Sequence, residues 1–166
     1  NRSTKGVYEL GSVFKTFTFA AGLEEDVIDI KTSFNNLPKK LTCGGMSISE
    51  YDMEIPSNLT AEEILIRSGN IGSIRIAQKI GLVNFKKFLN DLDLLNKTQF
   101  DIEEIGTPIP FKWGKCKLAT SAYGHGITTT PLQLAKAYAI ISNGGHEIKP
   151  TLIKNNENFE KGKQII

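Results

Sequence analysis

The chain has 166 residues, of which 40% are hydrophobic and 23% are charged, a composition typical of a globular domain rather than of a disordered or fibrous protein. Its 20 basic and 18 acidic residues leave a formal net charge of +2, which is too weak to indicate nucleic acid or an anionic membrane as the partner. The sequence contains no run of about 18 apolar residues, so we expect no membrane span within it.

The first predicted helix covers residues 11–24. Phe14, Phe17 and Ala21 repeat at helical spacing, and Gly11 can turn the chain in front of them. Ser12 therefore lies at the amino end of this helix. The next stretch, residues 26–58, breaks into short apolar pieces, which predicts loops with one or two strands, at residues 27–30 and 46–48.

Three more helices are predicted further along the chain. A Thr-Ala-Glu-Glu capping box at residues 60–63 starts the first, which should end before Gly69. The second covers residues 71–80 and ends at Gly81, and the third begins near Asn84. The side chains that this third helix should bury are Phe85, Phe88, Leu89 and Leu92.

The last predicted helix follows an irregular stretch that contains Pro108 and Trp113. It opens at residues 130–133, where a capping Thr precedes a Pro at the first helical position and a Gln lies three residues past the cap. A brief strand is predicted at residues 151–153, and residues 154–166 are expected to be flexible. We see no sequence repeat and no internal domain boundary.

The two cysteines, Cys43 and Cys116, are too few for a disulfide framework. With His125 and His146 they show no ligand spacing for a metal. We expect two free thiols with a structural or incidental role, and a single bridge between them is the alternative.

A candidate for nucleophilic chemistry is the pair Ser12 and Lys15. The two side chains are three residues apart and so lie on one face of the predicted helix. A serine needs a base to become a nucleophile, and a lysine can serve if burial or the positive end of the helix lowers its pKa from about 10.4. By itself the spacing is more typical of a capping serine and a solvated lysine.

A second candidate is Ser-Gly-Asn at residues 68–70, between two predicted helices. The Ser68 hydroxyl can pass a proton to a leaving group, and the Asn70 carboxamide can bind an acyl group and accept a hydrogen bond from Lys15. The alternative is a turn with helix-capping residues.

Three blocks of sequence contain or follow these candidates, at residues 1–15, 67–72 and 123–135. In content, order and spacing they resemble the active-site serine segment, the second motif and the following loop and helix of class B penicillin-binding proteins, the peptidoglycan transpeptidases. The segments Tyr-Glu-Leu-Gly-Ser at residues 8–12 and Ser-Ala-Tyr-Gly-His-Gly at residues 121–126 resemble the cell-division branch of the family.

The resemblance implies a role for each candidate residue. Ser12 would attack the penultimate D-alanine carbonyl of a peptidoglycan stem peptide and Lys15 would take its proton. Ser68 would pass the proton to the leaving amine, and Asn70 would hold the acyl side chain and Lys15. β-Lactam antibiotics would trap the same serine, division-machinery proteins would be partners, and neither a metal nor an organic cofactor would be needed.

The resemblance also implies an α+β parent domain, of which this chain is a partial transpeptidase domain, mostly α-helical with a few short strands. The family's third motif, Lys-Thr-Gly on a strand lining the cleft, occurs nowhere in the sequence. Because that strand supplies an oxyanion donor, and losing one donor costs about 3–4 kcal/mol, we expect the isolated chain to be nearly inactive. Apolar faces left by the missing sheet would favour self-association.

Three further expectations complete the interpretation. His125, flanked by two glycines, is expected to be a loop residue and not a second base. The rival functions are a serine β-lactamase or β-lactam sensor, and a non-catalytic fragment that binds division proteins. By resemblance, the parent protein would lie on the outer side of the cytoplasmic membrane, held by an anchor that this chain does not contain.

Overall fold

The computed structural model describes residues 1–154 and 162–166. The expectation of a flexible segment at residues 154–166 thus falls largely on positions outside the described residues. The described elements, in chain order, are strand β1 (Tyr8–Glu9), a 3-10 turn (Gly11–Phe14), helix α1 (Lys15–Glu24), β2 (Ser33–Phe34), β3 (Lys40–Cys43), β4 (Met46–Ser49), β5 (Leu59–Thr60), α2 (Ala61–Ile66), α3 (Asn70–Ile80), α4 (Leu82–Asp91), α5 (Lys115–Ser121), β6 (Thr128–Thr129) and α6 (Pro131–Ser142).

The regular secondary structure of these described residues is mostly helical with a few short strands, as predicted. The strands pair two by two in antiparallel ladders, β1 with β6, β2 with β5, and β3 with β4. β3 and β4 form a hairpin whose turn, Gly44–Gly45, has positive φ at both residues, as a tight two-residue turn requires. None of the described helices is both long and apolar enough to cross a membrane.

The chain forms two compact units, each assembled from segments far apart in sequence. The serine unit, which contains Ser12, consists of Leu10–Lys86 and Phe111–Gly126. The second unit consists of Asn1–Glu9, Lys87–Pro110 and Ile127–Ile166. The chain passes from one unit to the other several times, so the two units do not correspond to two consecutive stretches of sequence.

The core of the serine unit is helical. Helix α3 packs against α1, α2 and α5, and its apolar face is fully buried, since Ile71, Ile74 and Ala77 have no exposed surface. Phe14 and Phe17 from the first helical segment are equally buried. At about 1.5–3 kcal/mol for each large apolar side chain, this burial is what holds the serine-bearing helix in place.

The second unit is organised around α6. Thr130 caps the helix and Gln133 is fully buried, where its Nε2 donates to the carbonyl oxygens of Asp93 (2.8 Å) and Asn96 (2.6 Å). Lys136 forms an ion pair of 2.9 Å with Asp93. A buried side-chain amide is thus satisfied by the loop that follows α4, which fixes that loop to α6.

Both predicted capping boxes are present, and the helices they start are confirmed. Thr60 and Glu63 exchange side-chain and backbone hydrogen bonds at the start of α2, as Thr130 and Gln133 do at the start of α6. Helix α3 ends at Gly81 as predicted, and the third predicted helix corresponds to α4.

Two predicted strands are wrong, because their backbone N–H groups donate hydrogen bonds to acceptors that do not belong to a partner strand. Residues 27–30 are not a strand, since the N–H groups of Val27 and Ile28 both donate to the Gly22 carbonyl and end α1. Residues 151–153 are not a strand either. There the Asp101 carboxylate accepts from the Thr151 hydroxyl and the Leu152 N–H, and these hydrogen bonds lower the pKa of Asp101.

The expectation of free thiols is also wrong. Cys43 and Cys116 form a disulfide, with their Cα atoms 5.4 Å apart. The bridge joins the end of β3 to the beginning of α5, across 73 positions of sequence. Spacing could not reveal it, because the contact exists only once the hairpin packs beside α5.

Candidate active site

The site begins with the 3-10 turn ahead of α1. Ser12 is exposed, and its carbonyl accepts a hydrogen bond from the Lys15 N–H at the start of the helix. In a 3-10 turn, side chains three residues apart are eclipsed, which supports the shared face that the spacing predicts for Ser12 and Lys15. That arrangement of the two side chains stays a prediction. An accessible hydroxyl therefore lies ahead of the amine that could serve it as a base.

Lys15 is buried, with 3% of its surface exposed, and its Nζ donates to the carbonyl and, at 2.9 Å, to the hydroxyl of Ser68. Burial disfavours the charged ammonium and lowers the pKa of Lys15 to about 8, although the negative charge of Glu50 opposes the shift. A substantial fraction of Lys15 is therefore a neutral amine near physiological pH, as a general base requires.

Ser68 connects α2 to α3 and has an unusual backbone. Its φ of +54° lies in the left-handed region, which costs a residue with a side chain about 1–2 kcal/mol. The Ser68 N–H donates to the Leu65 carbonyl, which closes the last turn of α2. This conformation presents both the Ser68 carbonyl and its hydroxyl to Lys15. The structure thus brings Ser68 to Lys15.

Asn70 is the first residue of α3, immediately after this turn. Its Nδ2 donates to the Ser49 carbonyl at 2.9 Å, so the carboxamide is fixed to the end of β4. The hydrogen bonds described for Lys15 go to Ser68, and the predicted contact between Asn70 and Lys15 is not among them.

The third block of the sequence resemblance contributes a close backbone contact. The Gly11 N–H donates to the Gly124 carbonyl at 3.2 Å. A Cβ atom on residue 124 would lie 1.9 Å from the Gly11 carbonyl oxygen, so the contact leaves no room for a side chain. The φ of Gly124, +84°, also favours glycine. Thr18 of α1 donates to the Ala122 carbonyl of the same loop. The loop after α5 therefore fixes the residue that precedes Ser12.

His125 lies on this loop and is exposed. Its ring stacks on that of Tyr123, with centroids 6.0 Å apart and an interplanar angle of 8°. Its backbone N–H donates to the Thr120 carbonyl. The role expected for it, a loop residue and not a base, stays a prediction.

Sequence reasoning missed the two residues behind Asn70, namely Ser49 and Glu50. Glu50 is buried, and its carboxylate accepts from the backbone amides of Asn70 and Ile71. These residues lie about 20 positions before the motif, and a single acidic residue after a short strand carries no recognisable signal.

An exposed hydroxyl, a buried amine of lowered pKa and a second hydroxyl are groups that can carry out acyl transfer through a serine nucleophile. Residues 1–165 match the family model described as the penicillin binding protein transpeptidase domain. The chain therefore belongs to the penicillin-binding transpeptidase family.

Relatives agree with this assignment. The chain is 33% identical over 156 residues to a probable peptidoglycan D,D-transpeptidase FtsI of Caulobacter vibrioides, covering 93% of this chain and 26% of that protein. It is 28% identical to a probable peptidoglycan D,D-transpeptidase PenA of Neisseria flavescens, covering 100% of this chain and 41% of that one. A third relative is the stage V sporulation protein D of Bacillus subtilis, at 29% identity, with 89% and 23% covered. The chain thus spans less than half the length of these relatives.

Solved structures share the fold. The transpeptidase domain of penicillin-binding protein 3 from Burkholderia pseudomallei superposes with a TM-score of 0.89 at 23% identity, over 99% of this chain and 50% of that one. A peptidoglycan glycosyltransferase from Burkholderia ambifaria gives the same TM-score at 24% identity, over 99% and 53%. The helical architecture is therefore that of the α+β transpeptidase domain, as predicted.

Proposed function

We propose that the full-length protein is a peptidoglycan D,D-transpeptidase of the cell-division type, which crosslinks stem peptides through a serine acyl-enzyme. The observation that carries the proposal is the contact of the buried Lys15 amine with the Ser68 hydroxyl, three residues after the exposed Ser12. The similarity to proteins named FtsI supports the division role.

In the acylation step, the Ser12 oxygen forms a bond to the penultimate D-alanine carbonyl while Lys15 takes the hydroxyl proton. When the C–N bond to the terminal D-alanine breaks, the proton travels from Lys15 through Ser68 to the departing amine. The hydrogen bond of 2.9 Å between Lys15 and Ser68 provides this path. Asn70, fixed to Ser49, would position the acyl side chain.

In the second step, an amine of a neighbouring stem peptide attacks the ester that Ser12 carries. The amine loses a proton to the same Lys15 and Ser68 pair, and the Ser12 oxygen regains one as the ester bond breaks. A β-lactam would acylate Ser12 in the same way, but its ring-opened product stays attached and blocks the incoming amine.

The disulfide supports a location outside the cytoplasm, because such bonds persist in oxidising compartments and are rare in reducing ones. We therefore place the transpeptidase domain on the outer side of the cytoplasmic membrane, where division-machinery proteins would be its partners.

The test is covalent labelling of the full-length protein with a fluorescent penicillin. We expect stable labelling of the wild type, none of Ser12→Ala, and wild-type labelling of Ser57→Ala, which removes an exposed loop hydroxyl. Rapid release of the label would indicate a β-lactamase instead. A wild type without Ser12-dependent label would indicate a non-catalytic protein.

A further inference from the structure

Glu50 is a buried carboxylate beside the second motif. It follows β4 directly, and only 7% of its surface is exposed. Oε2 accepts a hydrogen bond from the Asn70 N–H at 2.6 Å, and Oε1 accepts one from the Ile71 N–H at 2.9 Å. A charged side chain is rarely buried without partners, and here each oxygen has its own donor.

The amino end of α3 needs such a partner. Its N-cap residue is Gly69, which has no side chain to accept from the first free amides of the helix. Glu50 supplies both acceptors and adds a negative charge at the positive end of the helix dipole. The neighbouring Ser49 carbonyl accepts from the Asn70 side chain. Two consecutive residues thus fix both the backbone and the carboxamide of Asn70.

The same carboxylate acts on Lys15 through space. Lys15 donates to Ser68 and not to Glu50, yet the charge of Glu50 raises the pKa of Lys15 against the effect of burial. Helices α2 and α3 pack against α1, and their charged groups cause no such shift in Lys15. Those groups are Glu62, Glu63, Arg75 and Lys79.

On the basis of the transpeptidase function proposed above, we infer that Glu50 is a positioning residue for acylation. It anchors the first amides of α3 to the β3–β4 hairpin and thereby holds Ser68 at Lys15 and Asn70 at the end of β4. Glu50 has no contact with the reacting atoms in this role and acts through the residues that it positions.

The test measures the acylation rate of the full-length protein with a fluorescent penicillin across pH. Glu50→Gln keeps the shape but has one acceptor oxygen for two amides and no charge, so the plateau rate should fall about tenfold or more. Because Glu50 raises the pKa of Lys15, the inflection of the pH profile should also move to lower pH. Glu50→Asp keeps the charge, so its rate should fall less and its inflection should stay near that of the wild type.

The matched control is Glu54→Gln, which removes an exposed carboxylate four residues further along the same loop. It should leave both the rate and the inflection unchanged. If Glu50→Gln fails to fold, Glu50→Asp provides the test through a lower rate at an unchanged inflection.

Three results would overturn the inference while leaving the proposed function intact. One is a wild-type rate and inflection in Glu50→Gln, or a wild-type rate in Glu50→Asp if only that variant folds. Another is that a smaller fraction of the Glu50→Gln molecules is labelled while the inflection of the pH profile stays unchanged, which would mean that Glu50 serves folding alone. The third is an equal effect of Glu54→Gln. Absence of Ser12-dependent labelling in the wild type would instead overturn both proposals.

Discussion

Lys15 shows how the surroundings of a residue determine its chemistry. An exposed lysine has a pKa of 10.5 and is almost wholly charged at neutral pH, whereas burial against α3 lowers the pKa of Lys15 to about 8. The hydrogen bonds to Ser68 keep the amine directed at the second hydroxyl. One side chain is thus both neutral enough and oriented well enough to exchange protons.

This shift predicts a pH profile for acylation by penicillin. Because only neutral Lys15 can accept the Ser12 proton, the rate should rise about tenfold per pH unit below the pKa and level off above about pH 9. With an unshifted lysine pKa, the acylation rate would still rise steeply above about pH 9. Stopped-flow labelling of the full-length protein measures the profile, and a rate that continues to climb tenfold per unit beyond about pH 9 would contradict it.

Ser68 allows function and stability to be separated. Ser68→Gly removes the hydroxyl but relieves the left-handed backbone strain, and the larger chain entropy of unfolded glycine offsets part of the gain. We expect a free energy of unfolding equal to that of the wild type or up to about 1 kcal/mol higher, with acylation slower by about 10²- to 10⁴-fold. Urea denaturation and labelling kinetics measure the two effects.

Ser68→Ala is the matched control for that variant. It removes the same hydroxyl and keeps the strained backbone, so it should lose activity to the same extent without gaining stability. Acylation at the wild-type rate in Ser68→Gly would exclude the proposed proton path.

The sequence predicts the Ser12 and Lys15 pair because the two lie within one turn, where spacing determines direction. It does not predict the hydrogen bonds from Lys15 to Ser68, which join residues 53 positions apart. Nor does it predict the burial that shifts the pKa of Lys15. Ser68 and Asn70 were candidates from their side chains and their place between two predicted helices, and the family resemblance gave them roles, whereas Glu50 required the structure.

At the level of elements, the β3–β4 hairpin supports the site. It carries Ser49 at its end and Glu50 directly after it, and the disulfide holds it to α5. The bridge closes a loop of 73 positions. By lowering the entropy of the unfolded chain, a bridge across such a loop stabilises the folded state by about 4 kcal/mol.

Removing this bridge should therefore destabilise the serine unit. We expect Cys43→Ala with Cys116→Ala to lower the free energy of unfolding by about 2–4 kcal/mol and to slow acylation, because the hairpin positions Asn70. Urea denaturation of the full-length protein with and without reductant is the measurement. Reductant should weaken the wild type and leave the double variant unchanged, and a wild type indifferent to reductant would contradict the prediction.

The elements that were predicted correctly are specified by residues next to them in the sequence. Helices α2 and α6 begin at capping boxes and α3 ends at a glycine, so neighbouring residues specify their limits. Helix α5 was missed because it has seven residues and follows Gly114, which provides no side-chain cap. Strand β3 was missed because its stability depends on the hairpin partner β4.

At the scale of the whole molecule, catalysis should need residues beyond these 166. The Lys-Thr-Gly motif does not occur in the chain, and the curated relatives are much longer than the part they share with it. We propose that the strand carrying that motif supplies an oxyanion donor in the full-length protein.

Residues 1–166 produced alone should accordingly be acylated at least about 10²-fold more slowly than the full-length protein. Labelling with a fluorescent penicillin measures both rates, and circular dichroism establishes that the shorter chain is helical. Equal rates in a folded, disulfide-bonded chain would show that the missing donor is not required.

The sequence by itself determined the main helices, the spacing of Ser12 and Lys15 within one helical turn, and the family, because these depend on residues close together in the chain or on motifs in a fixed order. Only the tertiary structure decided the pKa of Lys15, the anchoring of Asn70 by Ser49 and Glu50, and the pairing of Cys43 with Cys116. Each of these requires burial or contact between distant segments, and such contacts exist only after the helices and the hairpin have packed.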